Sequence, residues 1–324
     1  MQKFKERVRL SKFSNYRIGG PARFFFEPKN EAEVRGAILA AREKKIPFFV
    51  IGGGTNLLID DRGVKGLVIR PGMTKIAVAG TTVAAGAGAS MADLLSFAAR
   101  HSLSGLEWAG GLPGTVGGAV RGNAGCFGGE TKDSIASVRS FDTKTMKVVI
   151  HSAARCGFGY RSSLFKKTAG RYIILDATFR LAKGDRAAIG RAMREKIAHR
   201  RERHPLEYPN IGSMFKNVPV ASLFPKGSPA YRKAVRDGAL TLRGSPFSVK
   251  RDPFPVIFAA KLISEAGLRG VRRGGAEISS KHTNFIVNVR KARAKDVRTL
   301  MRLVKAGVRR KFGVQLEEEV QALP

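Results

Sequence analysis

Acidic residues are scarce in this 324-residue chain: 25 Asp and Glu stand against 59 Lys and Arg, a formal net charge of +34. Residues 188–324 carry 29 Lys and Arg against 11 Asp and Glu, so the deficit runs through the whole chain. A nucleic-acid reader concentrates its charge in an arm, patch or helix. Charge alone therefore leaves three readings open: adaptation of the whole surface, attraction of small polyanions, or contact with nucleic acid or a membrane surface. Cysteine is nearly absent. Cys126 and Cys156 form no CxxC, which argues against a disulfide scaffold or zinc cage and fits a reducing compartment. The five histidines show no metal-ligand spacing, so no metal site is expected. No apolar run reaches the roughly 18 residues of a membrane span, and the basic start MQKFKERVRL lacks the apolar stretch of a secretion signal. These absences lead to the expectation of a cytoplasmic chain with no membrane association.

What the chain has in excess is glycine in two places. Nine glycines fall between Gly110 and Gly129. Each weakens an ordinary helix or strand by roughly 0.5–1 kcal/mol, and a tract that accepts this usually points bare N–H groups at an anion, most often phosphate. A second cluster, Ile51-Gly52-Gly53-Gly54-Thr55-Asn56, directly follows a strand-like run. It lacks the Lys-Ser/Thr of a phosphate-binding P-loop and the GxGxxG of a dinucleotide turn. Taken together, the two turns are placed to close on one extended pyrophosphate, with Thr55, Asn56 and Thr115 supplying side-chain bonds.

The pattern around them alternates. Pro47–Ile51 and Gly66–Ile69 read as strands, and Glu31–Lys45 as a helix with Val34, Ala37, Ile38 and Ala41 on one face. Thr74–Ala87 reads as strands and Ser90–His101 as a helix with Ser90 at its N-cap. Ile135–Phe141, Lys147–Ile150 and Tyr172–Leu181 read as strands, and Asp185–Arg203 as a basic helix bridging to the second half. There, Phe258–Ala266 and Ala294–Phe312 read as helices, and Thr283–Asn288 and Val314–Val320 as strands. Val218–Pro255, rich in Pro, Gly, Ser and basic residues, reads as a long loop or insertion with a short helix at Ala230–Val235. The class is α+β.

These residues carry a resemblance. Asn15–Gly20 (NYRIGG), Ile51–Leu58 (IGGGTNLL), the glycine tract, Cys156–Arg161 (CGFGYR) with Phe165-Lys166, Gly212–Asn217 (GSMFKN), Gly274–Ala276 with Lys281–Phe285 (KHTNF), and Leu316–Val320 (LEEEV) stand in order along nearly the whole chain. The sequence resembles the UDP-N-acetylmuramate dehydrogenase family (MurB type, also called UDP-N-acetylenolpyruvoylglucosamine reductase). The resemblance implies a vanillyl-alcohol-oxidase-like (PCMH-type) FAD-binding domain over residues 1–187, in two α+β subdomains of about 1–70 and 71–187. A smaller α+β substrate-binding domain follows over 188–324, with an insertion at about 218–255. It implies that NADPH reduces FAD, and the flavin then reduces the enolpyruvyl group of a UDP-sugar to give UDP-N-acetylmuramate, a peptidoglycan precursor. No His or Cys occurs in Ile51–Asp61, so the flavin is expected to be non-covalent.

Residue by residue, the family's catalytic positions fall on Arg161, Ser213 and Glu319. Cofactor positions fall on Ile51, Gly52, Gly53, Gly54, Thr55 and Asn56, and on Gly111, Gly114, Thr115, Gly117 and Gly118. Substrate contacts fall on Tyr160, Arg161, Lys216, Asn217, Arg201 and Asn123, the last facing flavin or substrate. The chemistry asks for such groups. Hydride delivery to a vinyl carbon leaves an enolate, whose oxygen charge needs a cation and whose α-carbon needs a proton. Arg161 offers a planar fork, Ser213 a hydroxyl, and Glu319 a carboxylate that orients the serine or donates a proton itself. Two departures from the family stand out: the long segment after Asn217, and Val218-Pro219 where a proline usually follows the asparagine directly. The chain shows no tyrosine lid between Tyr160 and the bridge helix, which resembles the shorter type II branch. Two alternatives stay open: another FAD-dependent oxidoreductase on the same fold, and a basic nucleic-acid-binding protein. No obligate protein partner and no specific nucleic acid is expected.

Overall fold

The computed structural model describes residues 3–251 and 253–324. Its first sheet runs in the order Lys5–Arg9, Pro21–Phe26, Val64–Ile69, Phe48–Val50; the first pair is antiparallel and the others parallel. The second is antiparallel throughout: Lys147–Ser152, Ile135–Asp142, Tyr172–Arg180, Thr82–Gly86, Ile76–Ala79. The helix Glu31–Glu43 joins them. Asn30 caps it by accepting from the Glu33 N–H at 2.9 Å. Its buried face, Val34, Ala37, Ile38 and Ala41, packs against Leu67 and Ile69 of one sheet and Phe141, Ile173 and Leu175 of the other. That is the face its apolar spacing predicts. Met91–Arg100, capped by Ser90, and the short helix Val116–Gly122 contribute to the core on the second sheet.

The helix Arg186–Arg203 starts on an Asp185 cap, whose carboxylate accepts from the Ala188 N–H at 2.6 Å. It lies against the glycine tract: a Cβ on Gly110 would meet the Met193 carbonyl oxygen at 2.7 Å. The second half builds its core from the strands Ala276–Ile278 and Ile286–Asn288 and the helices Ala259–Glu265 and Ala294–Phe312, with Tyr16, Ile18 and Leu58 reaching in from the first half. Tyr16 is fully buried and donates its hydroxyl to the Ile286 carbonyl at 2.8 Å. Burial pushes its pKa well above that of a free phenol. The mixed content gives the expected α+β class.

Two expectations are corrected. Val314–Val320 is not a sheet strand: it makes one bridge, Phe215 to Glu318. The strand is Gln321–Leu323, and it pairs in parallel with Leu57–Ile59 of the first half. Buried Leu323 joins Leu10, Phe25 and Ile59 there, so the apolar gain and the open edge of Leu57–Ile59 decide the pairing. Val218–Pro255 carries the expected short helix, Pro229–Asp237, but it is more than a loop: that helix and the hairpin Ala239–Leu242/Ser245–Ser248 set Ala234, Leu240 and Phe247 into the second core. Phe247 stands edge-on to Phe312 at 5.1 Å. The hairpin turns through Arg243 and Gly244, both at positive φ (45° and 83°), the pattern of a tight two-residue connection. No helix among the described residues is long and apolar enough to cross a membrane.

Asp60 ties the halves together. It accepts from the Arg62 N–H at 2.9 Å and from Arg298 Nη2, on the long helix Ala294–Phe312, at 2.9 Å. Hydrogen bonds from the Arg62 side chain and backbone, with Arg298 adding, hold its pKa down at about 2. A depressed carboxylate stabilises the fold above its ordinary pKa of about 4 and loses that contribution as the pH falls through the depressed value. Asp60→Asn is expected to lower the thermal midpoint at pH 7. The gap to wild type should close between about pH 4 and pH 2, as followed by circular dichroism across that range.

Candidate active site

The two glycine turns face each other directly. A Cβ on Gly52 would lie 2.7 Å from the Thr115 hydroxyl oxygen, one on Gly53 2.8 Å from Gly114 Cα, and one on Gly114 2.8 Å from the Thr55 hydroxyl oxygen. Gly54 sits at φ +64°, with the Phe13 carbonyl where its Cβ would be. Backbone meets backbone here at a distance no side chain allows. The N–H groups of Gly52, Gly53, Gly54 and Thr55 donate to no acceptor among the described residues. Ile51 is buried behind them, and Asn56 donates through Nδ2 to the Glu319 carbonyl at 3.2 Å. Across from them, Thr115 caps Val116–Gly122 by accepting from the Gly118 N–H at 3.4 Å. Gly117 backs onto Ala87 and Gly111, at φ +70°, onto Arg200. A row of bare donors against a wall of glycines and threonine hydroxyls suits a diphosphate. The residues present fit a group such as FAD.

Arg161 sits in a tight turn, Gly159–Ser162, closed by reciprocal backbone bonds of 3.0 Å, and holds φ +53°. Such a backbone costs a non-glycine residue roughly 1–3 kcal/mol and persists where the surroundings over-determine it. Its Nε donates to Glu319 Oε1 and its Nη2 to the Gly125 carbonyl, both at 2.7 Å. Burial pulls the Arg161 pKa down, but the charge of Glu319, with Tyr160 and Glu130 adding, outweighs it and raises the pKa. The guanidinium therefore stays charged.

Glu319 arrives by a strand-like crossing with the GSMFKN segment. Its N–H donates to the Met214 carbonyl, and the Lys216 N–H to the Glu317 carbonyl, both at 2.9 Å. Glu317 pairs with Lys216 at 2.8 Å, while Glu318 turns away to Lys305 at 3.1 Å. Ser213 immediately precedes Met214. It is half-buried, and its hydroxyl has no hydrogen-bond partner among the described residues. Asn284 of the KHTNF segment fixes this region: its carbonyl accepts from the Met214 N–H at 2.8 Å, and its side chain bonds both the N–H (3.0 Å) and carbonyl (2.8 Å) of Phe215. The Tyr160 hydroxyl accepts from the Asn217 N–H at 3.2 Å. Arg161, Glu319, Tyr160, Lys216, Asn217 and the Ser213 segment are thus gathered from distant parts of the sequence.

Two of the expected contacts stand apart from this group. Asn123 has no exposed surface, and its amide is taken up by Glu130, Gly159 and Lys132. Arg201 is exposed, while neighbouring Arg200 turns inward, donating to the Gly110 carbonyl and to Cys126 Sγ, each at 2.8 Å. Other members were missed. Lys166 donates through Nζ to the Arg161 carbonyl at 2.8 Å; burial first, then Lys216 and Arg121, lower its pKa. Its signal was its place in the Phe165-Lys166 motif. Phe254, from the segment read as an insertion, stands edge-on to Tyr160 at 5.0 Å, and nothing local in the sequence announces it. The cluster of Arg121, Arg161, Lys166 and Lys216 gives the site a positive field suited to a polyanion.

Comparison with known proteins agrees with this geometry. Residues 22–149 match the family described as FAD binding domain, and residues 204–323 that described as UDP-N-acetylenolpyruvoylglucosamine reductase, C-terminal domain. The UDP-N-acetylenolpyruvoylglucosamine reductase of Clostridium novyi is 35% identical over 99% of this chain and 92% of its own length. The enzyme of the same name from Exiguobacterium sibiricum is 38% identical over 95% and 88%. The chain belongs to this family. The crystal structure of UDP-N-acetylenolpyruvylglucosamine reductase from Thermus caldophilus superposes with a TM-score of 0.75 at 31% identity, covering 100% of both chains. The fold is that of the family, with an FAD-binding domain followed by the C-terminal domain characteristic of the reductases.

A methyl group on Gly53 would have to displace Gly114 backbone. Gly53→Ala is expected to fold with a wild-type far-ultraviolet spectrum and to weaken FAD binding at least roughly tenfold, about 1.4 kcal/mol, measured by flavin fluorescence on titration into apoprotein.

Proposed function

We infer that this chain is an FAD-dependent reductase that uses NADPH to convert UDP-N-acetylglucosamine enolpyruvate to UDP-N-acetylmuramate, for peptidoglycan synthesis in the cytoplasm. The observation that carries this reading is the Arg161–Glu319 ion pair, standing at the Met214 crossing next to Ser213 and reached from the glycine cradle through Asn56. When bound, FAD supplies the two-electron carrier that accepts hydride from NADPH and passes it to the vinyl carbon of the substrate. We assign residues 1–187 to holding the flavin and 188–324 to the UDP-sugar, with Lys216, Asn217 and Tyr160 toward its diphosphate and sugar.

Arrival of hydride at the vinyl carbon leaves an electron pair on the carbon next to the carboxylate, spread onto its oxygens. Arg161 meets that growing negative charge with a fixed, always-charged fork, stabilising it more than the ground-state carboxylate. Ser213 supplies the proton to the α-carbon. A hydroxyl is a weak acid, so this step needs a strongly basic carbon and a short path, and Ser213 brings no protein hydrogen bond that must first be broken. Glu319 aligns Arg161 through its carboxylate and the Ser213 segment through its N–H to Met214. Arg121, Lys166 and Lys216 add the field that draws in the diphosphate.

Purified protein is expected to be yellow and to turn over NADPH beyond one equivalent of its flavin only when the enolpyruvyl UDP-sugar is present. A flavoprotein indifferent to that sugar would be a different oxidoreductase on this fold. Ser213→Ala is expected to leave reduction of the flavin by NADPH intact and to slow its reoxidation by substrate at least roughly 10²-fold. Stopped-flow measurement of the two half-reactions decides this, and equal losses in both would make the serine structural.

A further inference from the structure

Two side chains bond to the strained turn that carries Arg161. Lys166 Nζ donates to the Arg161 carbonyl at 2.8 Å. Asn123, itself at φ +43°, donates through Nδ2 to the Gly159 carbonyl at 3.0 Å. The same nitrogen donates to Glu130 Oε2 at 3.2 Å, while Asn123 Oδ1 accepts from the Lys132 N–H at 3.0 Å. The amide is locked in one orientation, and through Gly159 it locks the turn.

Glu130 is the member of this network that the mechanism leaves unused. Its residue is 5% exposed, and Oε2 also meets Lys132 Nζ at 2.7 Å. Yet Oε1 is buried without a hydrogen-bond partner. A buried carboxylate oxygen in that state is costly unless a cation faces it. Arg161 supplies such a charge nearby without pairing directly: against the pull of burial, Glu319 first and Glu130 last raise its pKa. Gly125 lets the two approach: a Cβ there would lie 2.7 Å from Glu130 Cγ and 3.3 Å from Arg161 Nη1. Nη1 is the guanidinium nitrogen engaged by neither Glu319 nor the Gly125 carbonyl.

We propose that Asn123 and Glu130 are positioning residues for Arg161, Asn123 fixing its turn and Glu130 holding its guanidinium through the gap at Gly125. The proposal rests on the reductase reading above. A substrate carboxylate that engages Arg161 competes with Glu319 for it, and Glu130 is the second anchor that keeps the fork in register while this happens. Both residues are buried, so they act through Arg161 and not on the substrate.

Glu130→Gln keeps the shape of the side chain and an acceptor for Asn123 while removing the charge. Thermal midpoint, FAD content and the NADPH half-reaction are expected to stay near wild type, within about twofold for the rate. Flavin reoxidation by the enolpyruvyl UDP-sugar should slow roughly 10–100-fold, the scale of a misplaced reacting group. Glu130→Asp, which restores a carboxylate, should recover part of that loss. Glu130→Gln combined with Arg161→Lys should be no slower than Arg161→Lys alone, because both act through one group. Multiplying effects in the double variant would overturn the proposal, as would a Glu130→Gln enzyme with wild-type reoxidation or one that loses FAD and both half-reactions together. If wild type itself fails to pass electrons to this sugar, the reductase reading falls instead. Crystal structures of wild type and Glu130→Gln then decide the positioning claim, since an unmoved Arg161 guanidinium in the variant would overturn it.

Discussion

The reactive end of this molecule depends on one ion pair. Arg161 and Glu319 lie 158 residues apart in sequence and meet only because the glycine-rich half and the far end of the chain close on each other. The pair is neither fully dry nor open, with side chains 21% and 18% exposed. Its worth therefore lies less in stability than in placement, since partly solvated pairs contribute little net energy. It fixes where the Arg161 guanidinium stands relative to the Ser213 segment and the glycine turns. Asn284 behind Met214 and Lys166 beneath the Arg161 turn hold the backbone on either side of it.

Much of this was legible in the sequence because the signals were local. Asn30, Ser90 and Asp185 stand where helices begin, and apolar spacing named the buried face of Glu31–Glu43. The glycine turns announced themselves for the same reason: intolerance of a Cβ is written in the residue itself. What stayed hidden was set by distance or by rotation. Gln321–Leu323 is a three-residue strand with no period to detect, and its partner lies at Leu57–Ile59. The hairpin within Val218–Pro255 buries only Leu240 and Phe247 of its strand residues, too few to set a period. Arg200 and Arg201 differ only by one step around a basic helix whose buried residues are Ile189 and Arg200, so composition offered no face to choose. Asn123 shows another limit, since a buried asparagine that braces a turn and one that touches a ligand read alike.

The excess positive charge gains a partial explanation. At the site it is specific: Arg121, Arg161, Lys166 and Lys216 stand together, and burial first, then the charges of Lys216, Arg121 and Arg161, depress the Lys166 pKa. Elsewhere many cations meet carboxylates only in exposed pairs such as Lys261–Glu265 or Arg236–Asp237, which are worth little. The field over the cleft and the general basicity of the surface are thus separable features of one composition.

The pairing of Gln321–Leu323 with Leu57–Ile59 also sets an order of events. Asn56 and Glu319 touch across 263 residues of chain, and contacts of such separation form late because the intervening loop must first be closed. Until they form, the strand leaving the cofactor turn has an open edge and Arg161 lacks its counter-ion. During synthesis the glycine turns emerge long before the segment that backs them. Until that segment is in place, Asn56 and Arg161 both lack their contacts with Glu319. A flavin that favours the closed form would stabilise it by mass action, so the cofactor would add to the stability of the site in which it reacts.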